Sequence, residues 1–479
     1  MEDFEERLSA ALTRGLSGFE ELVAVRRLSG GASQETYRVE IVANGTSQTL
    51  AFRRAAGGGS PDRSGLNPGP GLAGEARLME VAREAGVPEP EVFFVLEEGD
   101  GLGEGFLMAW LEGETLGGKI LKDPALEAVR PTLAFECGRV LARIHGIDPK
   151  ATGLTALLDT QTTREYVERL WAGYRSYDTP QPMIDFTARW LLDHLPDAIY
   201  DTPRLVHNDF RNGNLMITPD GITAVLDWEV AYLGDPVRDL GWICTNSWRF
   251  GRHDQPVGGF GSREALLEGY EAESGIRITS DHLRWWEVFG SFWWAVGTLQ
   301  MAAMYRGGVD ASVERPGIAR RSSECQVDCA NLIIPGPVEL VEEGTAASSL
   351  DMPRSDELLE SVRDFLRNDL RGRLKGRDAF LSLVASNSLD IVLRELTLGP
   401  AHVAAERLRL LALVDGEAGE PIDGLRRRLS TGLRDGSIPL ELPGLADHLR
   451  ATVVNQLAID QPRYSGLAAA LAANGANEG

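Results

Sequence analysis

Apolar and polar positions alternate with period two over Val25–Leu28, Thr36–Val42 and Gln48–Arg53, which predicts three strands near the start of the chain. Asn44-Gly45 between the second and third is a hairpin turn signal. A helix is expected over residues 3–14 and another over Ala73–Ala85, with two further strands at Val92–Glu97 and Gly105–Trp110. The Gly/Pro-rich stretch 55–71 reads as a loop. Beyond residue 112 the period changes to helical. Apolar residues recur at three- and four-residue spacing in Leu133–Ile144, Tyr166–Tyr174, Phe186–Leu195, Arg263–Glu273, Leu283–Tyr305 and Gly317–Ile334. Residues 336–353 are a linker by composition. After it, Ser355 reads as an N-cap with Asp356 and Glu357 in the first turn, and further helices fit Ala379–Leu396, Ala401–Val414, Pro421–Leu433 and Gly444–Leu457. The organisation expected is a small mixed lobe at 1–112, a mostly helical lobe at 113–335, a linker at 336–353 and an all-helical domain at 354–479.

One short stretch interrupts the helical part. Leu215-Met216-Ile217 and Ile222 to Leu226 flank Thr218-Pro219-Asp220-Gly221, with proline second and glycine fourth as in a type I turn. Pairing outward sets Ile217 opposite Ile222 and brings Asn214 near Val225, so Asp227 returns close to Asn212–Asn214. Asp209, Asn214 and Asp227 are therefore neighbours, five and thirteen residues apart in sequence. A carboxylate to accept a proton, followed by a carboxamide and a carboxylate to share a magnesium ion, is the residue set for phosphoryl transfer from a nucleotide.

The motif His207-Asn208-Asp209-Phe210-Arg211-Asn212-Gly213-Asn214, then Leu226-Asp227-Trp228-Glu229, Gly234-Asp235-Pro236 and Asp239-Leu240, resembles the aminoglycoside phosphotransferase and choline kinase superfamily. Its wording is similar above all to the kinase-like domains attached to certain acyl-CoA dehydrogenases. The resemblance implies an α+β, two-lobed protein-kinase-like fold and ATP with Mg²⁺ as cofactors. By position it makes Asp209 the catalytic base, Asn214 and Asp227 the metal ligands, and His207 and Asp239 braces of the catalytic loop. Arg211 could neutralise the transferring group or bind an acidic substrate, and Glu229 could orient substrate or a second metal. Residues 354–479 resemble an uncharacterised helical domain fused to some such kinases.

The remaining parts of a nucleotide site follow from the same frame. Ser29-Gly30-Gly31-Ala32-Ser33 lies between the first two strands, where glycine amides and the hydroxyls of Ser29 and Ser33 can meet phosphates. Kinases hold those phosphates with a cation on the third strand paired to a helix carboxylate. Lysine occurs only at 119, 122, 150 and 375, so arginine must serve: Arg53, with Arg54 as the alternative, and Glu75 as partner. Arginine is not equivalent to lysine in this place. The strand Phe106–Gly113 would join the lobes, with backbone near Met108 and Trp110 facing adenine.

Composition then narrows the classes. The 479 residues carry a net charge of −23, of which residues 351–479 contribute −3. Such a chain has little reason to bind nucleic acid or an anionic membrane. Four cysteines form no disulfide framework or C-x-x-C pair, and the acidic first residues resemble no signal peptide; a cytoplasmic protein with reduced thiols is expected. The uncharged run Val288–Tyr305 suits a buried core helix better than a membrane span. Only eleven residues lie between Asp227 and Asp239, with no activation segment or A-P-E motif, so the acceptor expected is a small-molecule hydroxyl rather than a protein. Within the superfamily, a hydroxyacyl or CoA-linked alcohol is the substrate suggested. A catalytically inactive nucleotide-binding module whose helical domain recruits a partner is the alternative, and a homodimer or lid role is open to the C-terminal helices.

Overall fold

The computed structural model describes residues 2–28, 34–58, 69–344, 353–417 and 419–473. By packing, the chain divides into two compact units, Met1–Thr163 with Asp197–Trp286, and Arg164–Pro196 with Glu287–Gly479. This division differs from the sequence boundaries at 335 and 354, because segments 164–196 and 287–335 pack with the C-terminal helices.

The first unit opens with helix α1 (Glu2–Gly15) and a five-stranded antiparallel sheet of β1 (Phe19–Arg27), β2 (Gln34–Ala43), β3 (Thr46–Ala55), β4 (Val92–Val95) and β5 (Gly105–Ala109), in the order β1-β2-β3-β5-β4. Alternation along β2 puts Tyr37, Val39 and Ile41 inward, where they meet Leu50 and Phe52 of β3 and Leu8 and Leu12 of α1 in one core. Helix α2 (Gly71–Glu84) carries Glu75, which is 1% exposed. The glycine-loop residues Ser29, Gly30, Gly31 and Ser33 lie outside the described residues.

After the sheet come the short helix α3 (Gly117–Ile120) and α4 (Leu133–Gly146), then two small antiparallel pairs. Strand β6 (Arg204–Val206) pairs with β9 (Tyr232–Gly234), and β7 (Leu215–Thr218) with β8 (Gly221–Val225). The β7–β8 hairpin pairs Ile217 with Ile222 as read from the turn, but an irregularity between Met216 and Ile217 shifts the outer register by one, so that Leu215, not Asn214, lies opposite Val225. Helices α7 (Val237–Cys244) and α8 (Arg263–Ser274) follow. Helix α9 (Ser280–Arg306) begins in this unit and continues into the second. Among the described residues no helix is long and apolar enough to cross a membrane.

The second unit is helical. It holds nearly all of α5 (Thr163–Arg175), then α6 (Pro182–Asp193), α10 (Glu314–Ala319), α11 (Ser322–Ile333), α12 (Ser355–Asp364), α13 (Gly376–Leu413), α14 (Ile422–Asp435), α15 (Leu445–Asp460) and α16 (Ser465–Ala472). Part-buried ion pairs and hydrogen bonds tie its segments together. Arg434 Nε donates to Asp185 Oδ1 at 2.7 Å, and Arg320 Nε to Asp460 Oδ1 at 2.8 Å. Three local readings differ. The run 317–334 is two helices, α10 and α11, separated at Arg320–Arg321. Arg354, not Ser355, is the N-cap of α12, and Glu357 accepts its backbone N–H at 2.8 Å. The helices expected at 379–396 and 401–414 are one 38-residue helix running through Pro400. Proline removes one hydrogen bond and crowds the carbonyl four residues back, but packing on both sides of it carries the helix through. All four cysteines are free and buried.

Candidate active site

The loop of residues 207–214, between β6 and β7, is held from below by one carboxylate. Asp239, fully buried on α7, accepts the backbone N–H of His207 at 2.8 Å and of Asn208 at 2.7 Å, and His145 Nε2 lies 3.1 Å from its Oδ2. Hydrogen bonds to a buried ionised group are the strong kind, so Asp239 locks the loop entry. Asn208 is turned to φ 70°, with Arg238 Nε donating to its Oδ1 at 3.0 Å. His207 is also buried. Its Nδ1 accepts the Asp209 N–H at 3.2 Å, which leaves Nε2–H to donate to Leu226 O at 3.1 Å. That tautomer clips the loop to the segment carrying Asp227. Burial holds the His207 imidazole below its ordinary range, against the pull of Asp239 and Asp209, so it is neutral and works as a strut.

Asp209 is held by three donors. Arg211 Nε and Trp242 Nε1 reach Oδ1 at 2.9 and 2.8 Å, and Asn214 Nδ2 reaches Oδ2 at 2.6 Å. A rigid carboxylate with a 15% exposed side chain can accept a proton from a hydroxyl laid against it. The Asn214 amide nitrogen is committed to Asp209, so its oxygen is the end left for a cation. Arg211 stacks over the Trp248 ring with its guanidinium carbon 4.3 Å from the centroid, which fixes its direction.

The hairpin brings the other carboxylate alongside. Leu226 N–H donates to Asn214 O at 2.8 Å, and Asp227 follows with φ 72°, a left-handed conformation unusual for a non-glycine residue. Its carboxylate meets the guanidinium of Arg53, which also lies 3.2 Å from Glu75 Oε1. Neighbouring residues of a strand face opposite ways. Arg53 on β3 therefore points to the site while Arg54 turns to Glu35, Tyr37 and Phe4 on the other face. The choice between the two arginines is thus made by the strand. Burial disfavours the Arg53 charge, but Glu75, Asp227 and Glu229 outweigh it and raise its pKa. Burial, together with the nearby Asp227 and Glu229, pushes Glu75 up to about 7 in spite of Arg53.

Gln34 on β2 was not singled out by the sequence. Its Oε1 accepts from Arg53 Nε and its Nε2 donates to Glu229 Oε2 at 2.9 Å. Glu229 is thereby placed beside Arg53. Trp242, Trp248, Arg238 and Glu89 were missed as well. Glu89 is buried and accepts from Trp228 Nε1 at 3.0 Å, seating the residue after Asp227. None of these has a motif of its own; they are ordinary residue types that reach the site from distant elements.

In the connecting strand, Met108 is buried opposite Ala51. Trp110 donates to Glu112 Oε1 at 2.7 Å and carries Arg38 over its ring at 5.4 Å. The Ala109 N–H is already spent on Glu91 O at 2.8 Å, so adenine would have to use other backbone groups here. The metal reading passes a chemical test. Asn214 offers an amide oxygen and Asp227 a 27% exposed carboxylate, the oxygen ligands that Mg²⁺ takes one or two at a time. Among the described residues no group of three or more His, Cys, Asp or Glu is placed to hold a metal ion, so protein ligation here would be limited to Asn214 and Asp227.

Comparison with known proteins bears on the family and the fold. Residues 372–464 match a domain of unknown function. Acyl-CoA dehydrogenase family member 10 of Mus musculus is 35% identical over 36% of this chain and 16% of its own length, and family member 11 of Gallus gallus is 27% identical over 49% and 30%. The chain thus spans less than a third of either relative. A crystal structure of a candidate aminoglycoside phosphotransferase from Ralstonia eutropha shares the fold, with a TM-score of 0.54 at 24% identity over 67% of this chain and 95% of that one. Residues 24–276, which include the 207–214 loop, the β7–β8 hairpin and most of the sheet, match the model of the phosphotransferase enzyme family, and the chain belongs to that family.

Proposed function

We propose that the protein transfers the γ-phosphoryl group of ATP to the hydroxyl of a small molecule. The observation that carries this reading is the Asp209 carboxylate, fixed by Arg211, Trp242 and Asn214 beside a carboxylate and a carboxamide oxygen suited to magnesium. Magnesium, when bound, would neutralise phosphate charge and orient the leaving group. The chain's own groups do the rest. Asp209 takes the proton as the acceptor oxygen forms its bond to phosphorus, and the bond from phosphorus to the bridging oxygen breaks to leave ADP. Arg53, released from Asp227 when nucleotide binds, would hold phosphate oxygens in its place, with Glu75 and Gln34 fixing its direction. The net charge of −23 and the absence of an activation segment support a small acceptor and weigh against nucleic acid. The matched acyl-CoA dehydrogenase family relatives favour a hydroxyacyl or CoA-linked alcohol. A cytoplasmic location fits the reduced, buried thiols.

The test is phosphorus NMR with Mg-ATP against aminoglycosides, amino alcohols, sugars and hydroxyacyl-CoA compounds. In Asp209→Asn, transfer should fall by about 10²–10⁴ while nucleotide binding persists. Transfer at the parent rate would overturn the assignment. One observation favours a second reading. The Arg53 guanidinium sits directly on the Asp227 carboxylate, where a metal would bind. In a regulatory module that contact would persist, and Mg-ATP would bind without any transfer or hydrolysis.

A further inference from the structure

The second unit encloses a cavity of about 330 Å³ that the phosphotransferase reading does not use. Its walls come from α6, α11, α13 and α15, so it lies partly within the matched domain of unknown function. Two histidines line it, and both are almost wholly buried, His402 at 2% and His448 at 1% exposure. Neither ring nitrogen of His402 has a hydrogen-bond partner, and His448 Nδ1 has none. Glu406 Oε2 is 4.0 Å from His402 Nε2 and is engaged by Arg426 at 2.6 Å.

The charged groups around the cavity are already paired with one another. Arg320 donates to Asp460 and Glu395 at 2.8 and 3.0 Å, and Arg426 Nε to Glu406 Oε1 at 2.7 Å. A charged guest would have to break these pairs. Among the charged or titratable groups that line the cavity, the imidazoles are what remain unmet; Arg409, behind them, also keeps its Nε unpartnered. Burial depresses both, assisted by Arg426 and Arg409 and opposed by Glu406, and His448 falls to about 4. A neutral imidazole offers one N–H donor and one bare acceptor nitrogen. Val403, Leu449 and Val453 supply apolar wall between them. A volume near 300 Å³ lies at the small end of ligand pockets.

We propose that this cavity binds a small uncharged molecule bearing a hydroxyl or primary amide on a branched aliphatic body, with His402 and His448 as its hydrogen-bonding partners. The inference does not depend on phosphoryl transfer.

The probes are 3-methylbutanamide and 3-methylbutane-1,3-diol, added to the full chain with ¹⁵N-labelled histidine. Ring-nitrogen signals are assigned with His402→Asn and His448→Asn. Either probe should move the His402 and His448 ring signals saturably, and His402→Asn should weaken binding about tenfold or more. Val403→Trp, which fills the cavity, should abolish it. If Val403→Trp does not fold, the His402→Asn comparison decides alone. Three results would overturn the proposal: signals unmoved by both probes, which leaves only water in the cavity; tighter binding of 3-methylbutanoate than of the amide; or a response to Zn²⁺ alone.

Discussion

At the residue scale, the site depends on side chains that act by holding other side chains. Trp242 is the clearest. It makes a hydrogen bond to an ionised carboxylate, a class of bond worth about 1.5–3 kcal/mol. Trp242→Phe keeps an aromatic ring but deletes the N–H donor and the second ring of the indole, so kcat should fall about tenfold to a hundredfold with nucleotide affinity unchanged. A parallel loss of nucleotide binding in a titration would mean that the ring, not the bond, matters. Glu75 gives a pH signature. Its pKa is raised in the fold from 4.5 to about 7, so the native state binds more protons than the unfolded one between those values. Its contribution is present in full below about pH 4.5 and is lost as pH rises through about 7. Urea midpoints at pH 5 and about pH 7.5 should therefore drop for the parent chain and change less for Glu75→Gln. Equal slopes in the two proteins would show that Glu75 is not the group titrating.

At the element scale, the hairpin was legible because its turn chemistry and its apolar runs agree. Pro219 and Gly221 frame β7 and β8 and set the inner pair Ile217–Ile222, while the one-residue shift at Met216, which moves the outer pairs, has no turn signal. The left-handed turn at Asp227 was not legible, since nothing in Leu226-Asp227-Trp228 demands φ 72°; the loop clipped by His207 imposes it. Helix α13 shows the opposite case. Gly399-Pro400 is a break signal by local rules, yet the helix runs through it because the chain on both sides is packed. An interior proline costs a helix about 3 kcal/mol, while it also restricts the unfolded chain by up to about 1 kcal/mol. Pro400→Ala should therefore raise the unfolding free energy by about 2 kcal/mol, read by chemical denaturation. A decrease would mean that the helix needs its bend there.

At the scale of the whole molecule, the C-terminal helices share a packing unit with segments 164–196 and 287–335. Asp185 on α6 is fully buried and takes its cationic partner, Arg434, from α14. A chain truncated near residue 340 leaves that carboxylate without its guanidinium, and stranding a buried charge costs about 3–5 kcal/mol. The truncated chain should show a lower calorimetric midpoint and a tendency to associate, visible by light scattering. An unchanged midpoint would show that residues 1–340 stand alone. Five-stranded sheet, helical remainder and catalytic hairpin were all visible as periodicity and turn signals, because those are local properties of the chain. The compact units were not, because they depend on which helix faces meet.

The sequence by itself determined the phosphotransferase motif, the order of the opening helix, the five sheet strands and the β7–β8 hairpin, and the residue types of the candidate site. Alternation and turn chemistry act over a few residues, so they can be read without a fold. Tertiary structure decided that Arg53 rather than Arg54 enters the site, that Gln34 joins Arg53 to Glu229, and that Trp242 comes from α7 to hold Asp209. It also decided that two histidines 46 positions apart line one cavity. These are encounters between residues far apart in the chain, and their positions follow from how whole elements pack, which no local pattern encodes.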